Sequence, residues 1–185
     1  MFAMKNFILI FIICNFFSLS FSFNGIIANA GCAEIDEDIP EEFKELLKKG
    51  KLTFEAPPMK LIDAHKDPLM KYDIAYVDEA NGFEIRINIV PLDSNDAPEE
   101  NLNILTRVKQ GTYEAIDLKH MMFNADKAGF GEFVFNKKYD GYKKGGILFI
   151  HKKMHASVYV FYLGNDSAEF SRLIMDNLFI LKFKE

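Results

Sequence analysis

The chain has 185 residues, with 22 Lys and Arg against 27 Asp and Glu, a formal net charge of −5 and two cysteines. That balance argues against a nucleic-acid partner held by overall charge. Two cysteines are too few for a disulfide-stapled scaffold.

The first thirty residues read as a targeting segment. Lys5 is their only charged residue, and Phe7 to Phe23 runs FILIFIICNFFSLSFSF, the apolar stretch of a signal peptide. Its seventeen residues are marginal against the roughly 20 that span a bilayer, and Asn15 and three serines weaken a span further. Ala28 and Ala30 supply the small residues that a signal peptidase reads, so cleavage is expected after Ala30. A lipoprotein is the alternative, with Cys32 as the lipid-bearing residue behind Ala30 and Gly31. Asn29 stands where such a signal carries leucine, and the free Cys32 is the expectation. Because Cys14 lies in the signal, the mature chain has no internal disulfide. The expected address is the periplasm or the exterior, with an envelope lipoprotein as the alternative.

Residues 31–50 form an acidic leader. Between Ala33 and Glu45 seven acids (Glu34, Asp36, Glu37, Asp38, Glu41, Glu42, Glu45) face one base, Lys44, and the stretch reads as a solvated leader from which the rest folds independently. Within it, Pro40 to Lys49 can form a short helix that Gly50 stops.

Residues 51–185 form one globular domain. LTFEAPP and MKYDIAYV are strand candidates, and DEANG makes a turn into FEIRINIV. There Phe83, Ile85, Ile87 and Ile89 face one way and Glu84, Arg86 and Asn88 the other, which predicts a half-buried strand in an antiparallel hairpin with Met70 to Val77. Asp96-Ala97-Pro98-Glu99 opens a long middle helix whose apolar positions are Leu102, Leu105, Val108, Thr112, Ile116 and Phe123. GEFVFN, GGILFIHK and ASVYVFYL follow as strands, the last two apolar on both faces, so both faces of the sheet need cover. A closing helix, capped by Asp166, supplies one cover with Phe170, Leu173, Ile174, Leu178 and Leu181; the middle helix supplies the other. The predicted fold is an α/β/α sandwich around a mainly antiparallel sheet, acting as a monomer.

This element order, with the ending SAEFSRLIMDNLFILKF, resembles the Mog1/PsbP-like fold family over roughly residues 51–185. The resemblance implies a non-catalytic binding scaffold and carries no functional residue across.

Catalytic patterns are missing from the sequence. None of Ser94, Ser157, Ser167 and Ser171 sits in a Gly-x-Ser-x-Gly elbow, and Gly145-Gly146 enters a strand where a phosphate loop would enter a helix. No catalytic residue and no cofactor is expected. His151 and His155 have metal-like spacing, but they are two ligands beside two lysines, and His65 or His120 would have to complete the set. A ligand pocket lined by His120, Asp126 and Tyr139 would mark a small-ligand carrier or weak hydrolase. The preferred reading is a non-enzymatic envelope protein that binds a protein or an anionic lipid surface. Its contact patch is Lys137, Lys138, Lys143 and Lys144, with Tyr139 and Tyr142 adding apolar area.

Overall fold

The computed structural model describes residues 39–62, 71–92, 113–117, 120–165 and 168–185; the side chains of residues 113–117, 120, 121, 136 and 137 are outside that description. Helix α1, Glu41–Lys49, starts after Pro40 and ends at Gly50, whose N–H donates to the Leu46 carbonyl at 2.9 Å. Glu41 and Glu42 lie in its first turn and Lys48 and Lys49 in its last, the arrangement that complements a helix dipole. Its inward side carries Phe43 and Leu47, which with Ile39 are buried in the same core as the sheet. Phe43 meets Phe54 edge-on, with ring centroids 5.3 Å apart.

Among the described residues seven antiparallel strands form the main sheet, in the order β2 (Lys60–Ile62), β3 (Ile74–Asp78), β4 (Phe83–Pro91), β8 (Ala156–Gly164), β7 (Tyr142–Lys152), β6 (Lys127–Tyr139) and β5 (Tyr113–Asp117). A separate pair joins β1, Leu52–Phe54, to β9, Leu181–Phe183. Helix α2, Glu169–Asp176, precedes β9.

Alternation along the strands sorts two cores. Ile85, Ile87, Leu148, Val158, Val160 and Tyr162 face the side covered by Phe43 and Leu47 of α1 and by Phe170, Leu173 and Ile174 of α2. Phe133, Phe135, Ile147, Phe149, Tyr159, Phe161 and Leu163 form a second cluster from the opposite alternation. At the end of β8 a Cβ on Gly164 would stand 2.3 Å from the Phe170 ring, so a side chain there would push α2 off the sheet.

Several expectations change. FEIRINIV pairs with β3 as predicted, yet it is buried on both alternations, Arg86 included at 1% exposure. Ile116 lies in β5, paired with Phe130, and Phe123 follows in a 3-10 turn, His120–Phe123. The long-helix reading therefore fails for this stretch; its earlier part lies outside the described residues. Helix α2 stops at Asp176, with Asn177 as its C-cap. Leu181 is thus a strand residue and not a continuation of the helical stripe. The N-cap position of α2 is Ala168, with no side-chain cap; Asp166 lies outside the described residues. Local spacing favoured helix in each case, and pairing with a distant strand decided otherwise.

The helix in the acidic leader is part of the core, so folding without residues 31–50 is not expected. Phe43→Ala should cost about 3–5 kcal/mol, read as a lower urea midpoint by circular dichroism. A variant as stable as wild type would show that α1 is dispensable.

Candidate functional site

Arg86 points from β4 into the second face of the sheet, where a bare charge would be costly. Its Nε donates to Glu84 Oε1 at 2.6 Å and its Nη2 to Asp140 Oδ2 at 2.8 Å. The guanidinium carbon stands 5.0 Å from the Tyr72 ring centre and 5.9 Å from that of Tyr139. Tyr142 Oη donates to the other Glu84 oxygen at 3.0 Å. One cation, two carboxylates and three phenol rings thus form a single cluster.

Burial and neighbouring groups act on both the cation and one of the phenols. Burial works against the Arg86 charge, but its bonds to Glu84 and Asp140 outweigh that and hold the guanidinium above its ordinary range. Burial, and then the neighbouring Glu84 carboxylate, push the Tyr142 hydroxyl upward, so it remains a donor. Further along β4, Asp73 accepts from the Ile89 N–H at 2.7 Å and from Asn88 Nδ2 at 3.1 Å. Burial raises the Asp73 pKa and these two bonds oppose the rise.

The hairpin of β6 and β7 supplies half of the Arg86 cluster. Asp140 and Gly141 have φ of 48° and 87° between the paired residues Tyr139 and Tyr142, which is the two-residue primed turn that an Asp-Gly pair favours. Register breaks between Val134, opposite Lys144, and Tyr139, opposite Tyr142. Residues 135–138 therefore face Lys143 alone, and this bulge gives the tip slack to bend. Although β8 lies between β4 and β7, the tip reaches across it to Glu84 and Arg86.

The predicted contact patch is divided by this geometry. Tyr139 packs on Phe135 with ring centroids 5.4 Å apart and faces Arg86, while Tyr142 bonds Glu84. Both tyrosines are half-buried and hold the tip in place. Lys138 and Lys143 are exposed, Lys144 is half-buried, and the Lys137 side chain is outside the described residues.

The two histidines have separate partners. Buried His151 places Nδ1 3.0 Å from Ser157 Oγ, and His155 Nδ1 lies 2.8 Å from the Lys153 carbonyl in its own turn. Burial lowers the His151 pKa, with Asp126 opposing and Lys127 and Lys153 adding to the effect. Among the described residues no three His, Cys, Asp or Glu side chains are grouped to hold a metal. Asp126 just precedes β6 and Tyr139 ends it, so these two do not line one pocket. Asn124, with φ of 51°, donates to the Lys184 carbonyl at 2.8 Å, which makes the Asn124–Asp126 corner an anchor for the C-terminal segment. Cys32 and His65 lie outside the described residues.

The sequence reading missed the Arg86 cluster by treating Glu84, Arg86 and Asn88 as a solvated face. Tyr-Asp-Gly-Tyr was the available signal, since Asp-Gly between aromatic residues marks a hairpin turn and sets its register. Removing one member of a buried ion pair leaves the other uncompensated. Arg86→Met should therefore cost about 3–5 kcal/mol of unfolding free energy in urea, with faster amide exchange at residues 139–143. Adding Glu84→Gln should recover part of the loss; no recovery would show that the pair is not coupled.

No family model matches the chain, and no curated protein sequence matches it. Among solved structures, the Ran-binding protein Mog1p of Saccharomyces cerevisiae is similar at 15% identity and a TM-score of 0.39, over 75% of this chain and 82% of that one. That structure falls in the fold group which the element order resembles. At this identity and score, no site or partner is carried from it to this chain.

Proposed function

We propose that the protein is a non-enzymatic, exported binding protein whose hairpin tip contacts a macromolecular or lipidic partner in the cell envelope. One observation carries this reading: the tip is held to the sheet by Asp140 and Tyr142, while Lys138 and Lys143 remain exposed beside them. A fixed tip loses little conformational entropy when it binds, and two solvated ammonium groups steer an acidic partner toward it. The finer architecture belongs to the same proposal: a second helical layer covers the second core cluster, completing an α/β/α sandwich. Its support is the burial of Phe133, Phe149, Tyr159 and Phe161 on the side opposite α1 and α2.

Retention on isolated envelopes tests the contact. Wild type should bind at about 0.05 M salt and be released near 0.5 M, where screening reaches within a few ångströms. Lys138→Gln with Lys143→Gln should weaken retention about tenfold or more. Unchanged retention, or retention indifferent to salt, removes the tip from the contact.

The reading of export rests on the apolar run from Phe7 to Phe23 and the small residues Ala28 and Ala30. Intact-mass measurement of the protein recovered from its cells should give a chain beginning at Gly31 with an unmodified Cys32. A diacyl or triacyl increment on Cys32 would make it a lipoprotein instead.

A further inference from the structure

We infer that the end of the sheet opposite the hairpin tip is a docking surface for an anionic phospholipid bilayer. This surface is separate from the hairpin contact and stands without it. Four parts of the chain bring lysines together there, one of them the start of β6, where Lys127 pairs with His151. Lys48 and Lys49 close α1 and Lys51 follows Gly50; a Cβ on Gly50 would stand 3.1 Å from the Ala156 Cβ, so the end of α1 lies against the start of β8. The Lys184 N–H donates to the Lys51 carbonyl at 2.8 Å, which joins the C-terminal segment to that corner. From the turn between β7 and β8, Lys152 Nζ donates to the Lys184 carbonyl at 3.4 Å, and the Lys153 N–H donates to Asp126 Oδ2 at 2.8 Å.

Six lysines of this end, Lys48, Lys49, Lys51, Lys127, Lys153 and Lys184, are exposed. Among the described residues none of the six is ion-paired. The described carboxylates nearest them in the chain are Glu45, Glu55, Asp126 and Glu185, fewer than the six lysines, so the end carries an excess of positive charge. Lys48 and Lys49 also suit the last turn of a helix. That accounts for neither Lys153 nor Lys184.

Apolar groups sit among these charges. Met154 is 58% exposed in the turn beside Lys153, and Met122 is 46% exposed two residues before Asn124. Flexible thioethers fill irregular apolar surroundings, and lysine stems lie along apolar surface while their ammonium groups reach phosphate. The residue type separates a bilayer from a protein partner. Protein interfaces favour arginine and are depleted in lysine, and lysine is a compact, hydrated point charge without the planar fork for paired contacts. A field of mobile headgroups asks only for point charges. The net negative charge of the chain does not prevent this, because at about 0.1 M salt charges more than roughly 10 Å away are screened.

Vesicle sedimentation tests the inference, using the protein recovered from its cells with its N-terminus defined by mass. Wild type should sediment with vesicles of phosphatidylcholine and phosphatidylglycerol, remain in solution with phosphatidylcholine alone, and be released by salt. The variant Lys48→Gln, Lys49→Gln, Lys153→Gln, Lys184→Gln keeps the same N-terminal segment and should bind at least about 100-fold more weakly. The chain has no tryptophan, so Met122→Trp provides a single reporter whose emission should shift to the blue on anionic vesicles alone. Equal capture by neutral vesicles, wild-type affinity in the quadruple variant, or an unshifted reporter would overturn the inference. Loss of vesicle binding in the Lys138 and Lys143 variant, with retention in the quadruple variant, would place the lipid contact at the hairpin and overturn it too. Salt-sensitive binding to an acidic protein or a nucleic acid without vesicle binding would do the same.

Discussion

A guanidinium at 1% exposure in the third strand of a seven-stranded sheet is the constraint to which much of the second face conforms. Burying an ion costs several kcal/mol unless geometry and hydrogen bonds compensate. Glu84, two residues along the same strand, provides one carboxylate without any long-range requirement. Asp140 provides the other from the hairpin tip, and for it to reach Arg86 the tip must bend across β8. The register break in β6 and the primed turn at Asp140-Gly141 are the local devices that permit the bend. The two aromatic residues flanking the turn then have defined neighbours, with Tyr139 over the cation and Tyr142 on the carboxylate.

The first face has no comparable polar demand. Its cover comes from residues far apart in the chain, since α1 and β1 stand at the start of the described region and α2 and β9 at its end. Thr53 in β1 pairs with Lys182 in β9, 129 residues away, and this pairing joins the start of the described region to its end beside the apolar core. Such a contact forms late in entropic terms, because a long loop must close before it gains anything. The sheet it rests on is built mainly from neighbours in sequence: β3 with β4, β5 with β6, β6 with β7 and β7 with β8. The pairing of β4 with β8 is the long step that joins those two groups.

Legibility in the sequence follows the same division between local and distant causes. The runs from Gly145 and Ala156 were readable as doubly buried strands because both alternations are apolar. Helix α1 was readable because Pro40, its acids, its lysines and Gly50 are all local signals. Leu178 and Leu181 were misassigned because they keep helical spacing after the helix has ended, and the three-residue strand holding Leu181 is defined only by its partner β1. Ile116 failed for a similar reason, its strand being fixed by pairing with β6. Arg86 was misread because a charged residue between isoleucines looks solvent-facing; the carboxylate that reveals its burial lies 54 residues away. The functional surfaces were only partly readable. Lysine clusters in sequence marked the hairpin, whereas the cluster at the other end comes from separate segments that folding brings together.

An antiparallel sheet collects its turns at two ends, so surface chemistry is divided between them by turn composition. At the hairpin end Asp140, Tyr139 and Tyr142 are turned toward Arg86 and Glu84, and Lys60 is ion-paired with Glu79 at 2.9 Å. Much of the charge there is already answered within the fold, and the exposed Lys138 and Lys143 are what remains for a partner. At the opposite end Lys51 and Lys184 are tied through main-chain atoms, the Lys153 N–H donates to the Asp126 carboxylate, and the Lys152 ammonium donates to the Lys184 carbonyl. The main-chain tie between Lys51 and Lys184 and the N–H bond of Lys153 fix where those three lysines stand and leave their ammonium groups out of ion pairs among the described residues. Among the described residues this end keeps exposed lysines without ion pairs, and it is on this difference between the two ends that the proposed bilayer contact rests.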